Sequence, residues 1–264
     1  MGTFHLSQAF LGDSIASVNV TVSAGTIASL QEGPPVPGAV VINGLTMPGF
    51  ANLHSHAFHR FLRGRTHGLG GDFWSWRDAM YRLAGLLDPD LMYQVGLVVY
   101  GEMLRAGYTA VWEFHYLHHR QDGGRYADAN AMGLALADAA AAVGIRLVLV
   151  DTLYLTSGVD GSEPEGVQRR FSDGSMEAWI ERFELLPERV VKAAAVHSVR
   201  AVPIAAMEGM AQYCAGRGLG VHVHVSEQRK ENEECRAAHG VSPVALLRRV
   251  GLLGSRTVAV HATH

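Results

Sequence analysis

Cysteine is nearly absent from the 264 residues. There are two, Cys214 and Cys235, and no CxxC pair. That excludes a disulfide framework and a thiolate zinc site. Long apolar runs are missing too. The longest, around residues 145–155, is broken by Arg146 and Asp151 and is too short to cross a bilayer. No block of one charge sign occurs: 22 Lys and Arg face 25 Asp and Glu, a net charge of −3, which argues against nucleic acid and membrane surfaces as partners. No GxGxxG or P-loop pattern follows any apolar run, so dinucleotide and nucleotide-phosphate sites are not indicated. The first residues lack a basic segment followed by an apolar one. The expectation is a protein without a signal peptide, and hence cytoplasmic.

What is present is a soluble globular composition, 48% apolar and 18% charged. Short alternating runs at residues 4–6, 9–11, 18–22, 26–30 and 39–42, parted by Gly and Pro, predict a small sheet of hairpins over residues 1–46. From residue 47 the pattern changes to apolar strands alternating with helices. Residues 58–71 read as a Gly- and Arg-rich loop, and 72–86 and 89–106 as helices. Asp88-Pro89 opens the second of these. Helices ending at Gly144 and Gly218 follow in the same rhythm. Six strands can be counted, with polar residues of chemical use at the C-terminal ends of five. Continuous apolar strands imply a parallel sheet covered by helices. Chemistry at the strand C-termini implies a (β/α)8 TIM barrel, incomplete after the sixth strand, over residues 47–264.

Histidine is the unusual residue. Eleven of fourteen fall into small groups at the ends of apolar runs: 54/56/59, 115/118/119, 197, 222/224 and 261/264. In an extended segment the period of two points His54 and His56 to one side, which is half of a divalent-metal site. His224 closes the fifth strand, with Glu227 three residues on, and His261 closes the sixth. Neutral imidazoles suit zinc or ferrous iron better than magnesium or calcium. His222 shares a strand face with His224 and reads as a satisfied core residue one layer deeper. Glu227, beside a metal, could shuttle protons; the plain alternative is a solvated glutamate opening a charged helix.

These residues carry a resemblance. A strand-end HxH, a fifth-strand His with HxxE and a sixth-strand His resemble the amidohydrolase superfamily, in its mononuclear deaminase branch. The segments NLHSHAF at 52–58, FWSWRDAMY at 73–81, EFHYLHH at 113–119, HSVR at 197–200, HVSEQ at 224–228 and HATH at 261–264 are similar to the formimidoylglutamate deiminase family over nearly the whole sequence. The resemblance implies one divalent metal, zinc before iron, on His54, His56 and His224. It implies that Glu227 and His261 handle protons around a metal-activated water. It implies that Arg77, Tyr116, His197, Arg200 and His59 contact a small dicarboxylate substrate, although His59 stands where many members have Gln. The implied reaction is hydrolysis of N-formimino-L-glutamate to N-formyl-L-glutamate and ammonia, in histidine degradation. Family members are often dimers, so a homodimer is an implied assembly.

The same pattern uses an aspartate from an eighth strand, and residue 264 falls just after the sixth. Two other readings therefore stand beside the first. One is another deaminase of the superfamily, acting on a purine, pyrimidine or S-adenosyl compound. The other is an inactive metal-binding fragment. An anion clamp at Arg200 and Tyr116 favours the dicarboxylate reading over a nucleobase.

Overall fold

The computed structural model describes residues 1–66 and 73–264, in two compact units, Met1–Phe50 and Ala51–His264. The first unit is a four-stranded sheet of β1 (Gly2–Phe10), β2 (Ile15–Ser23), β3 (Thr26–Glu32) and β4 (Val40–Thr46), in the order β3-β2-β1-β4. β1–β2 and β2–β3 are antiparallel, and β1–β4 is parallel. The two runs expected at residues 4–6 and 9–11 are one strand. A register shift between Leu6 and Ala9 breaks the alternation without ending the pairing, as a β-bulge does. Ala24 and Gly25 both adopt positive φ, the backbone that a two-residue hairpin needs to match strand twist. Only Ala9, Val18 and Val20 form a buried apolar core in this unit.

The second unit is built on β5 (Phe50–Ser55), β6 (Tyr108–His115), β7 (Arg146–Leu153), β8 (Val191–Ser198), β9 (Val221–Val225) and β10 (Thr257–His261). Each strand lies beside its successor in the order β5-β6-β7-β8-β9-β10, and the pairs from β6 to β10 are parallel. Such neighbours need crossover connections. Helices supply them: α1 (Phe73–Leu86), α2 (Pro89–Arg105), α3 (Ala131–Val143), α4 (Met176–Glu184), α5 (Ile204–Arg217), α6 (Arg229–His239) and α7 (Pro243–Arg249). The result is the α/β barrel-type sheet, with six strands among the described residues and the C-termini of β6 to β10 at one end.

Local chemistry sets the helix limits. Asp88 caps α2 by accepting the Leu91 amide at 2.8 Å, with Pro89 at the first helical position. Gly144 and Gly218 end α3 and α5 in the left-handed region, where any side chain would be strained. α2 packs closely on α3: a Cβ at Gly96 would lie 2.6 Å from the Ala139 Cβ. The stretch read as a loop from residue 58 contains a 3-10 helix at Ala57–Leu62, which buries Phe58 and Leu62. Its remaining residues 67–71, and the expected helix start at Asp72, lie outside the described residues. A second 3-10 helix, Gly166–Phe171, carries no sequence signal strong enough to predict it. Among the described residues no helix is long and apolar enough to cross a membrane.

Candidate active site

The strand C-termini bring all ten residues singled out by sequence onto one cavity of about 260 Å3: His54, His56, His59, Arg77, Tyr116, His197, Arg200, His224, Glu227 and His261. Parallel order explains the meeting. His54 and His56 end β5, Tyr116 follows β6, His197 and Arg200 end β8, His224 and Glu227 follow from β9, and His261 ends β10.

At one end three imidazoles converge. The His224 Nε2 lies 3.2 Å from the Nε2 atoms of both His54 and His56. The tautomers of His56 and His224 follow from the other ring nitrogen. His56 Nδ1 is 2.8 Å from the Phe114 carbonyl oxygen, and His224 Nδ1 is 3.0 Å from that of His197. A carbonyl only accepts, so each Nδ1 carries the proton and each Nε2 presents a lone pair. Two lone pairs at that separation repel unless a cation lies between them. Burial lowers all three pKa values, to about 4 for His54 and well below the usual range for His56 and His224, so the rings are neutral and ready to ligate. The donor set therefore fits a nitrogen-preferring divalent ion.

A second group, His115, His118 and Asp151, also has the proximity for a metal. It does not fit one. Asp151 already accepts two bonds of 2.8 Å from Arg182 and one of 2.8 Å from Trp179 Nε1. A cation there would face a guanidinium.

Glu227 Oε1 is 3.7 Å from His261 Nε2, and the His261 ring stacks on His224 at 5.4 Å between centroids. Tyr116, buried, joins its hydroxyl to His59 Nε2 at 2.7 Å. His197 and His59 are both depressed to about 3, chiefly by burial. Arg77 stacks over the Trp74 ring at 4.4 Å, and Arg200 approaches Glu231 at 4.0 Å. The Nε atoms of both arginines are buried without a hydrogen-bond partner.

Several residues of the site escaped the sequence reading. Glu113 is buried; it accepts the Ala57 amide at 2.6 Å and so fixes the turn after His56. Burial pushes its carboxyl up to about 7. An acid at an inward position of an apolar strand was the available signal. Glu231, read only as part of a charged helix, is 1% exposed. It shares the buried face of α6 with Cys235, four residues on. Arg170 and Arg182, both fully buried, lie outside the cavity lining and tie loops to the barrel unit. Arg170 bonds the carbonyls of Ala84, Leu87 and His119, and Arg182 bonds Asn130, Asp151 and Asp173. His222 is buried as expected but not satisfied, because its Nδ1 has no partner.

Fold and site together define an α/β barrel-type scaffold with a candidate metal centre at the C-terminal ends of its strands. The model of the amidohydrolase family matches residues 45–264, and the chain belongs to that family. Over its whole length it is 38% identical to formimidoylglutamate deiminase of Pseudomonas aeruginosa, of which it covers 60%. It is 29% identical to 5-methylthioadenosine/S-adenosylhomocysteine deaminase 2 of Archaeoglobus fulgidus, over 83% of this chain and 47% of that protein. Among solved structures, an amidohydrolase from Brucella melitensis superposes with a TM-score of 0.89 at 36% identity, over 100% of this chain and 60% of that one. A zinc-bound adenosine deaminase from Xanthomonas campestris shares the fold, with a TM-score of 0.78 at 20% identity over 99% and 57% of the two chains.

Proposed function

We propose that the protein is a zinc-dependent deiminase. It hydrolyses N-formimino-L-glutamate to N-formyl-L-glutamate and ammonia, a step of histidine degradation. One observation carries the reading. A single cavity has three convergent imidazoles at one end, two of them with lone pairs fixed by carbonyl partners, and two half-buried guanidinium groups whose Nε atoms make no hydrogen bond elsewhere on its wall. Guanidinium groups with donors left over favour an anionic ligand, and two of them suit a dicarboxylate. The relative from Pseudomonas aeruginosa supports the same substrate class.

Zinc held by His54, His56 and His224 would supply Lewis-acid polarisation and a lowered pKa for water. The chain's own groups do the rest. Arg200 and Arg77 hold the two carboxylates, with Tyr116, oriented by His59, adding a donor. His197 lines the same region. Glu227 takes a proton from the attacking water as oxygen bonds to the formimino carbon. His261, 3.7 Å from Glu227, stabilises the new hydroxyl. Glu227 gives that proton to the terminal nitrogen, making it an amino group. As the C–N bond breaks, the hydroxyl proton passes by way of His261 and Glu227 to the same nitrogen, so that the oxygen becomes the formyl carbonyl and ammonia leaves.

The test is ammonia release by the zinc-loaded protein expressed from its full reading frame, with N-formimino-L-glutamate and 5′-deoxyadenosine as parallel substrates. Release from the first alone is expected. Turnover of the nucleoside alone, or of neither, refutes the proposal.

A further inference from the structure

The turn that presents Glu227 is made without glycine. Ser226, directly after β9, has φ +52, a left-handed backbone that costs a non-glycine residue about 1 kcal/mol or more. Something must hold it there. The Glu231 carboxylate, buried in the first turn of α6, accepts the Ser226 amide at 3.0 Å and the Glu227 amide at 3.3 Å. The Ser226 hydroxyl adds a bond to Asn232 Oδ1 at 3.3 Å.

This is not ordinary helix capping. A third-position glutamate normally reaches back to the amide of its own cap residue, here Gln228. Glu231 passes that amide and clasps the two before it. The same carboxylate lies 4.0 Å from Arg200 Nε, near enough to balance the guanidinium and too far to hydrogen-bond it. Arg200 therefore stays free for a ligand.

We infer that Glu231 is a positioning residue. It fixes Glu227 at the proton-transfer point and balances the charge of Arg200 without taking its hydrogen bonds. The inference rests on the role proposed above for Glu227, but the clasp itself can be tested without substrate. In the unmodified protein, amide hydrogen exchange at Ser226 and Glu227 should be as slow as in β9, although both are loop residues. Glu231→Gln should speed both by about tenfold, the worth of one hydrogen bond, and leave β9 unchanged. Fast exchange in the unmodified protein, or no change in the variant, overturns the clasp.

The functional arm uses the zinc-loaded full chain. Glu231→Gln should lower kcat on the order of 100-fold, as a misplaced catalytic group does, with KM within about threefold. In a Glu227→Gln background the same change should lower kcat less than about threefold, since the residue it positions is gone. Equal losses in both backgrounds would mean a merely structural role and overturn the inference. A parent protein inactive on formiminoglutamate would refute the proposed function, while hydrogen exchange would still decide the clasp.

Discussion

Arg182→Met tests how a buried charge cluster is held. Arg182 is 1% exposed and donates to Asp151 from both terminal nitrogens at 2.8 Å, to Asp173 from Nη2 at 2.9 Å and from Nε at 3.0 Å. Burial alone would raise the Asp173 carboxyl, yet His119 and Arg182 bring it down to about 2, so it is ionised. Removing the cation leaves two buried carboxylates facing only histidine and indole nitrogens among the described residues: His119, Trp179 and, at 3.9 Å, His118. Breaking a buried ion pair from one side costs about 3–5 kcal/mol. At roughly 2–4 °C per kcal/mol for a chain near this size, the midpoint should fall by roughly 10 °C. Calorimetry of the zinc-loaded protein measures it. Adding Asp151→Asn and Asp173→Asn should restore most of the loss, because the penalty belongs to the stranded charges and not to the missing contacts. A fall below about 2 °C, or a triple variant no better than the single one, would refute this reasoning.

Four further outcomes follow from the structure. Chelation should lower the unfolding midpoint: an ion at 100 times its dissociation constant contributes about 2.7 kcal/mol, and an unchanged midpoint with EDTA would rule out a tight site. Arg200→Met should lower kcat/KM by about two decades, because truncating one partner of a buried charge pair costs about 2–5 kcal/mol; steady-state kinetics on formiminoglutamate checks it. Glu113 has a folded pKa near 7, above its ordinary value of 4.5, so the folded state binds the extra proton between those values and loses stability as pH rises through them. Glu113→Gln lacks that loss, and its stability relative to the parent should rise from pH 5 to about 7 and then level off in urea titrations. Gly96→Ala should destabilise by about 1–3 kcal/mol despite alanine's better helix propensity, since the added Cβ would meet Ala139 at 2.6 Å; a stabilised variant in thermal melts would contradict the α2–α3 packing.

The metal end of the site was legible because its signals are local. His54 and His56 obey the period of two, and strand ends are marked by where apolar runs stop. The strand–helix alternation and the caps at Asp88, Gly144 and Gly218 were readable for the same reason. The bulge in β1 was not, since it interrupts alternation without a turn residue. Nor were the buried charges. Arg170 meets carbonyls 83 and 86 residues earlier in the chain, and Arg182 meets Asp151 31 residues away. By composition such arginines read as surface residues, and only the tertiary partners make their burial affordable. Glu231 was misread for the same cause. Its helix looks solvated until the loop it clasps is in place.

The spacing of the three imidazoles also sets an order of events in the cell. His56 and His54 precede His224 by 168 and 170 residues. At 5–20 residues per second, the ribosome needs roughly 8–34 s to pass from the pair to their third partner. Throughout that interval the nascent chain carries two coordinating rings and no closed coordination sphere. Capture of an ion at the proposed site would therefore wait until β9 has reached the sheet. An ion held there would tie the first strand of this sheet to its fifth.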